Sequence, residues 1–347
     1  MIKLFSLFIY LYLISNLKLI NTINNTPVIG ILTQPFPSSI NIKYGDNYLM
    51  ASYVKYVESA GARVVPIFYN QDDESLTTIF KQINGILLPG GDVDFKTEIQ
   101  YVKTLTLIWD YVLDVNINGD YFPLWGTCLG LEEIVSLQAE SFDVLTDFNA
   151  ENYSIPLNFS NIALESKIMK NCPTNIINSL ANDPITMNNH HFGISPNTFD
   201  NNSLLNQFFN VLATNNDKSG NEFISLIESK DYPIYAIIWH PEKSPYSWYS
   251  KDATDHSFNA ILACQYMSNF FVNETRKSNH KFNDEEVLFK SLIYNYNPTY
   301  TFKETHVEQI YIFNTSTNNT KNDFNINQIF SKKLFIIIFI LIILFFK

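Results

Sequence analysis

The sequence predicts an α/β fold, a three-layer αβα sandwich with a mostly parallel central sheet. Three observations carry this. Short runs that are apolar at every position alternate with segments of helical spacing, the pattern of strands buried on both faces. The chain has 347 residues, 46% hydrophobic and 15% aromatic, enough to build one large core or two ordinary ones. Glycine is scarce, 11 in all, and four of the 11 gather just after two of the apolar runs.

The elements follow in order. Val28–Leu32 is a short apolar run readable as a buried strand. Residues 47–60 carry Leu49, Tyr53, Tyr56, Val57 and Ala60 at helical spacing and stop at Gly61. Residues 64–68 form a second strand, and Asp72 or Asp73 caps a helix ending near Ile83. A third strand, 85–88, halts at Pro89-Gly90-Gly91. A helix around 97–116 and a fourth strand at 121–125 come next. Beyond about residue 140 short apolar segments sit among Asn-rich stretches, until 224–227 and 234–239 read as strands and 256–271 as a helix. There is no internal repeat, and one domain over 22–313 accounts for the body of the chain.

Charge and cysteine content narrow the function. Lys and Arg total 23 against 34 Asp and Glu, a net charge of -11, which supplies no phosphate-binding footprint and excludes nucleic acid as a main partner. Three cysteines, Cys128, Cys172 and Cys264, exclude a disulfide framework and any zinc site built from CxxC pairs. At most one bridge, Cys172–Cys264, is available; two separate buried thiols are the plainer reading.

The ends read as processing segments. Lys3 followed by a short apolar run gives residues 1–21 the shape of a secretory signal peptide. Asn-x-Ser/Thr sequons at Asn24, Asn152, Asn158, Asn201, Asn273, Asn314 and Asn318 agree with secretory entry as glycosylation candidates. Residues 314–333 form a polar linker before the apolar tail 334–347, which reads as a GPI-attachment signal or a short membrane anchor.

The chemistry concentrates at Gly126-Thr127-Cys128-Leu129-Gly130, a G-x-C-x-G at a strand-to-helix turn. Such an elbow exposes the central side chain at the carboxyl edge of the sheet, and the flanking glycines remove Cβ atoms that would clash with the neighbouring strand and helix. A helix starting at Leu129 aims its amides at the sulfur, favouring thiolate, and the Leu129 amide can bind a developing oxyanion. A thiol nucleophile needs a base, and His240 follows the run 234–239, at the same sheet edge as Cys128. Glu242, two residues on, can hold the far imidazole nitrogen. Gly90 and Gly91 offer unobstructed amides at another strand end. His190-His191 are pocket candidates, with no further ligand at metal spacing; His256, His280 and His306 read as structural or surface residues.

The segments 51–66, 83–91, 122–130 and 239–243, with the late 270–277, resemble the gamma-glutamyl hydrolase family within the class I glutamine amidotransferase-like superfamily. The resemblance covers 27–313, is looser over 140–230, and leaves the C-terminal tail outside it. It implies Cys128 as nucleophile, His240 as general base and acid, Glu242 as the residue orienting it, and Gly91 and Leu129 as oxyanion donors. It further implies His190, Tyr48 and Gly90 as substrate-binding residues. No cofactor or metal is implied.

The implied substrate is a folyl or antifolate poly-γ-glutamate, cleaved through a thioester. A polyanion needs a basic pocket, which the sequence does not locate; Arg63 and Lys243 are merely the basic residues nearest the motifs. A lysosome-like vacuole or the exterior is the implied compartment, with a homodimer as the family's usual state. The rivals are a glutamine amidotransferase-type glutaminase and a catalytically inactive secreted surface protein.

Overall fold

A computed structural model describes residues 23–36 and 45–314. The signal peptide, most of the linker, the apolar tail and Asn318 lie outside the described residues. In chain order the strands are β1 (Val28–Leu32), β2 (Gln34–Pro35), β3 (Asn47–Met50), β4 (Arg63–Ile67), β5 (Ile86–Leu88), β6 (Leu124–Thr127) and β7 (Thr146–Ile155). There follow β8 (Asn158–Phe159), β9 (Thr186–Gly193), β10 (Phe209–Asn216), β11 (Glu222–Ser229), β12 (Ile234–Ile237), β13 (Thr299–Tyr300) and β14 (Gln309–Phe313).

The central sheet has eight strands in the order β4-β1-β5-β6-β12-β11-β10-β8. Its first five strands pair in parallel and the last three antiparallel. Neighbouring residues point to opposite faces and both faces are covered, so the strands must be apolar at every position. Leu124 belongs to one buried cluster and Trp125 to the other; Val65 and Val64 divide in the same way. Helices Asp73–Phe80, Ile99–Ile117 and Leu129–Gln138 contribute to the first cluster, helices Ala51–Ser59 and Phe258–Thr275 to the second. This is the three-layer sandwich expected from the sequence.

Several boundaries moved. The expected helix at 47–60 splits: Asn47–Met50 is a strand paired with β14, and the helix begins at Ala51. That strand is specified by a partner more than 250 residues away, which local periodicity does not show. The strand placed at 121–125 is Leu124–Thr127. Asn116 clamps Phe122 through both its side-chain donor and acceptor, 2.8 and 3.0 Å, which holds the approach out of the ladder. In the blurred 140–230 region β7 and β9 form a separate antiparallel ribbon with two register shifts. Asp72 does cap its helix, accepting from the Ser75 amide at 2.9 Å. All three cysteines are free and buried, so Cys172 and Cys264 form no bridge. No helix among the described residues is long and apolar enough to cross a membrane.

Candidate active site

Cys128 immediately follows β6, between that strand and helix Leu129–Gln138, in a backbone conformation (φ 54°) that L-residues seldom adopt. Packing holds it there. A Cβ on Gly126 would lie 2.5 Å from the Gly130 carbonyl oxygen, and one on Gly130 would lie 2.3 Å from that of Leu88. The turn can therefore sit flat against β5 only with glycine at both flanks. The Cys128 amide donates to the Ile237 carbonyl at 2.8 Å, tying the elbow to β12.

β12 delivers His240 to the same edge. The His240 amide donates to the Met187 carbonyl of β9 at 2.8 Å, and its ring Nδ1 bonds Glu242 Oε1 at 2.7 Å. A carboxylate can only accept, so Nδ1 carries a proton, while Nε2 is buried and without a partner among the described residues. Gly90 lies where Cys128 and His240 meet: a Cβ there would stand 2.8 Å from His240 Cε1, 3.1 Å from Cys128 Cβ and 2.6 Å from Tyr53 Oη. A Cβ on Gly91 would run into Gln34 Oε1, 2.0 Å away.

Burial pushes the Cys128 thiol well above its ordinary pKa; the carboxylates of Glu132 and Glu242 add to this, and the Leu129 amide and Lys243 oppose it. The helix N-terminus thus acts in the expected direction, while desolvation works against it. One turn along the helix, Glu132 is buried and raised to about 8 by desolvation, with Asp92 adding.

These groups open on a cavity of about 1000 Å³. Every residue expected to bind or react lines it: Cys128, His240, Glu242, Gly90, Gly91, Leu129, His190 and Tyr48. His190 is buried, with Nδ1 2.7 Å from the Phe192 carbonyl and Nε2 3.3 Å from Asn188 Oδ1, and burial lowers its pKa to about 4. Tyr48 donates to Gln34 Oε1 at 2.9 Å, and Gln34 donates to the Pro89 carbonyl at 3.3 Å, bracing the Gly90-Gly91 turn.

Arg63 is not at the site. It begins β4 at the opposite sheet edge and donates to the Thr26 carbonyl. Lys243 does line the cavity, 3.7 Å from Asp252. His306, read as structural or surface, lines the cavity too, its ring stacked 4.3 Å from that of Tyr249. His256 is stacked on Trp248, and His280 is paired with Asp120 at 2.7 Å, as structural residues would be.

Sequence reasoning missed Tyr53. Its hydroxyl accepts from the Gly90 amide at 2.8 Å and lies 3.4 Å from His240 Nδ1, linking the glycine turn to the His–Glu pair. At helical spacing with Val54, Tyr56 and Val57 it reads as a core aromatic; only its hydroxyl distinguished it from a core Phe. The Gly90 amide is therefore engaged, although Gly90 and Gly91 both line the cavity.

The family model for Peptidase C26 matches residues 27–242. Gamma-glutamyl hydrolase from Homo sapiens is 44% identical over 287 residues, 83% of this chain and 89% of that protein. The Bos taurus gamma-glutamyl hydrolase is 43% identical, covering 83% and 89%. The probable gamma-glutamyl hydrolase 3 of Arabidopsis thaliana is 39% identical, covering 84% and 85%. Among solved structures, a putative GMP synthase protein from Thermoplasma acidophilum aligns at 13% identity with a TM-score of 0.42, covering 72% of this chain and 94% of that one. With the matched segment running from β1 through the His240–Glu242 pair, the chain belongs to the peptidase C26 family of cysteine peptidases and is a hydrolase of the gamma-glutamyl hydrolase kind.

Proposed function

We propose that the protein cleaves the γ-glutamyl bonds of folyl and antifolate poly-γ-glutamates, with Cys128 as nucleophile. The observation that carries this reading is the convergence of Cys128 and His240 on the Gly90 backbone, with His240 Nδ1 held by Glu242 and Nε2 left to accept a proton. In the first step Sγ attacks the γ-carbonyl carbon as its proton passes to His240 Nε2. Burial disfavours a free thiolate, so transfer and attack are coupled. Negative charge on the carbonyl oxygen is taken up by the amides of Gly91 and Leu129, each worth about 3 kcal/mol in the transition state.

His240 then returns its proton to the departing amine, the C–N bond breaks, and glutamate or a short polyglutamate leaves. A γ-glutamyl thioester remains on Cys128. Water, losing a proton to the same Nε2, adds to the thioester carbonyl; the C–S bond breaks and the thiol is restored. Glu242 keeps the imidazole in one tautomer and stabilises its cationic form. His190, Tyr48 and Gly90 line the substrate's path. Lys96, Lys243, His191 and His306 are the cavity's basic groups for substrate carboxylates, set among Asp92, Asp94, Asp143, Glu151 and Asp252.

Entry into the secretory pathway by residues 1–21, with residence in an acidic vacuole or the exterior, completes the reading. The tail 334–347 would attach the enzyme to a membrane if it is retained or exchanged for a lipid. The test is cleavage of pteroyl-pentaglutamate by the wild type and its Cys128→Ala variant, with products separated by chromatography. Shorter folates from the wild type and none from the variant support the proposal. Equal cleavage by both would remove Cys128 from the mechanism, and ammonia release from free glutamine alone would favour the glutaminase.

A further inference from the structure

Gln34 sits on the two-residue strand β2, opposite Tyr48 in the ladder with β3, and is 2% exposed. It does not line the cavity. Its carboxamide is held at both ends: Oε1 accepts from Tyr48 Oη at 2.9 Å, and Nε2 donates to the Pro89 carbonyl at 3.3 Å. A carbonyl only accepts, so the nitrogen must be the end that meets Pro89, and one orientation of the amide serves both bonds. Gly91 lies against all three atoms of this group. A Cβ there would stand 2.0 Å from Oε1, 2.5 Å from Cδ and 2.6 Å from Nε2. The Gln34 carboxamide therefore occupies the space that a side chain at position 91 would need.

Two consecutive peptides meet this contact. The Pro89–Gly90 peptide is pinned at both polar ends, its carbonyl by Gln34 and its N–H by Tyr53 Oη at 2.8 Å. The next peptide, Gly90–Gly91, carries the N–H that the mechanism assigns to the oxyanion. That N–H has no acceptor among the described residues. Glycine at both of its ends gives this peptide more rotational freedom than other residues would. An oxyanion donor stabilises the transition state only when it is held in place before the charge develops. The freedom of the two glycines must be limited, and the carboxamide packed on Gly91 limits it.

We propose that Gln34 is a positioning residue for the oxyanion hole: its carboxamide, clamped between Tyr48 and Pro89, packs against Gly91 and fixes the Gly90–Gly91 peptide. The inference rests on the reading of Gly91 as an oxyanion donor. Gln34 stays behind the cavity wall and does not touch substrate, so its loss acts on kcat and leaves KM near the wild-type value. The effect is smaller than that of deleting a donor, because the amide is loosened and not removed.

Three measurements test this. Gln34→Met keeps the side-chain length and loses both hydrogen bonds; it should lower kcat on pteroyl-pentaglutamate by about tenfold to hundredfold, with KM within about twofold. Alkylation of Cys128 by iodoacetamide forms no oxyanion, so its rate, followed on the Cys128 peptide by mass spectrometry, should stay within about twofold of the wild type. An unchanged kcat overturns the proposal. So does a loss of kcat matched by an equal loss of alkylation rate, which would place the damage at Cys128 and His240 instead. The third measurement is a double-mutant cycle. Gly91→Ala drives a Cβ into the carboxamide, and Gln34→Ala empties that space, so the losses of kcat in the double variant should be less than multiplicative. Losses that multiply would show two residues acting independently and reject the contact. The same cycle read by denaturant unfolding needs no substrate. Should the wild type fail to cleave pteroyl-pentaglutamate, the functional reading falls, while the unfolding cycle still decides whether Gln34 holds Gly91. An active wild type with an equally active Gln34→Met variant keeps that reading and removes the inference.

Discussion

At the carboxyl ends of β6 and β12 the cavity wall is made of short parallel strands locked by backbone contacts, with Gly126 and Gly130 leaving no room for a single added carbon. The β7–β9 ribbon, which carries His190, is built differently. It is a two-stranded ribbon with two register shifts, and Asn152, within one of them, takes φ 48°. The ribbon meets the elbow's sulfur through a long contact, 4.0 Å between Cys128 and the Asn189 carbonyl. On the proposed mechanism, the locked strand ends hold the bond-making groups and the ribbon shapes what enters. The first tolerates almost no change in volume; the second can absorb insertions and bulges.

The largest effect that tests this difference is on activity. His240→Ala should lower kcat by about three orders of magnitude or more, because it removes the proposed proton carrier, and should also lower the melting temperature, because it leaves the buried Glu242 carboxylate without its partner. His190→Ala, on the ribbon, should act chiefly on KM. A His190 variant that loses kcat as severely as the His240 variant would erase the distinction. Single-substrate kinetics and a thermal melt on both proteins decide it.

Stability gives the next contrast. Gly130→Ala places a Cβ against a backbone oxygen and should cost about 3 kcal/mol or more. Gly220→Ala, at φ 88° in open space, should cost only about 1 kcal/mol, from backbone strain alone. Denaturant unfolding of the two variants checks the order, and equal losses would show that the elbow yields where the structure has it locked.

Two buried groups on the cavity impose opposite pH slopes. Glu132 is raised to about 8 in the fold, so its contribution is full below the unfolded value near 4.5 and is lost as pH rises through 8. His190 is lowered to about 4, so its contribution is full above about 6.5 and is lost as pH falls through 4. Glu132→Gln should flatten the loss of stability on the alkaline side, and His190→Gln the loss on the acid side. Unfolding free energies between pH 4 and 9 would show each slope, and a Glu132→Gln curve parallel to the wild type would refute the assignment.

The smallest effect concerns glycan occupancy. Asn152, Asn158 and Asn273 are all exposed, but the Asn152 side chain is already committed, donating to the Lys251 carbonyl and accepting from the Ala253 amide. In protein secreted from eukaryotic cells, peptide mass spectrometry should find Asn152 unoccupied and the other two carrying glycan. A fully occupied Asn152 would mean that the glycan is added before the ribbon forms.

Much of this protein was readable from its residues. The doubly buried strands, the glycine-flanked cysteine and the histidine closing an apolar run are local patterns, because burial on both faces and tight turns demand particular residue types at particular spacings. The residues 47–60 were misread as one helix since β3 exists only through its pairing with β14, and Arg63 fell away once strand direction put it on the far edge. Glu132 and His306 gave no local sign of facing the cavity, nor Tyr53 of reaching Gly90 and His240; an aromatic, an acid or a histidine at helical or loop spacing reads the same in core, surface or site. Composition and spacing pointed to the fold class and singled out Cys128, His240 and Glu242 as the candidates for the site. Only the tertiary structure decided the burial that disfavours a Cys128 thiolate, the His240–Glu242 hydrogen bond and the Tyr53 hydroxyl at the glycine turn, because desolvation and hydrogen-bond partners belong to neighbours in space and not in sequence.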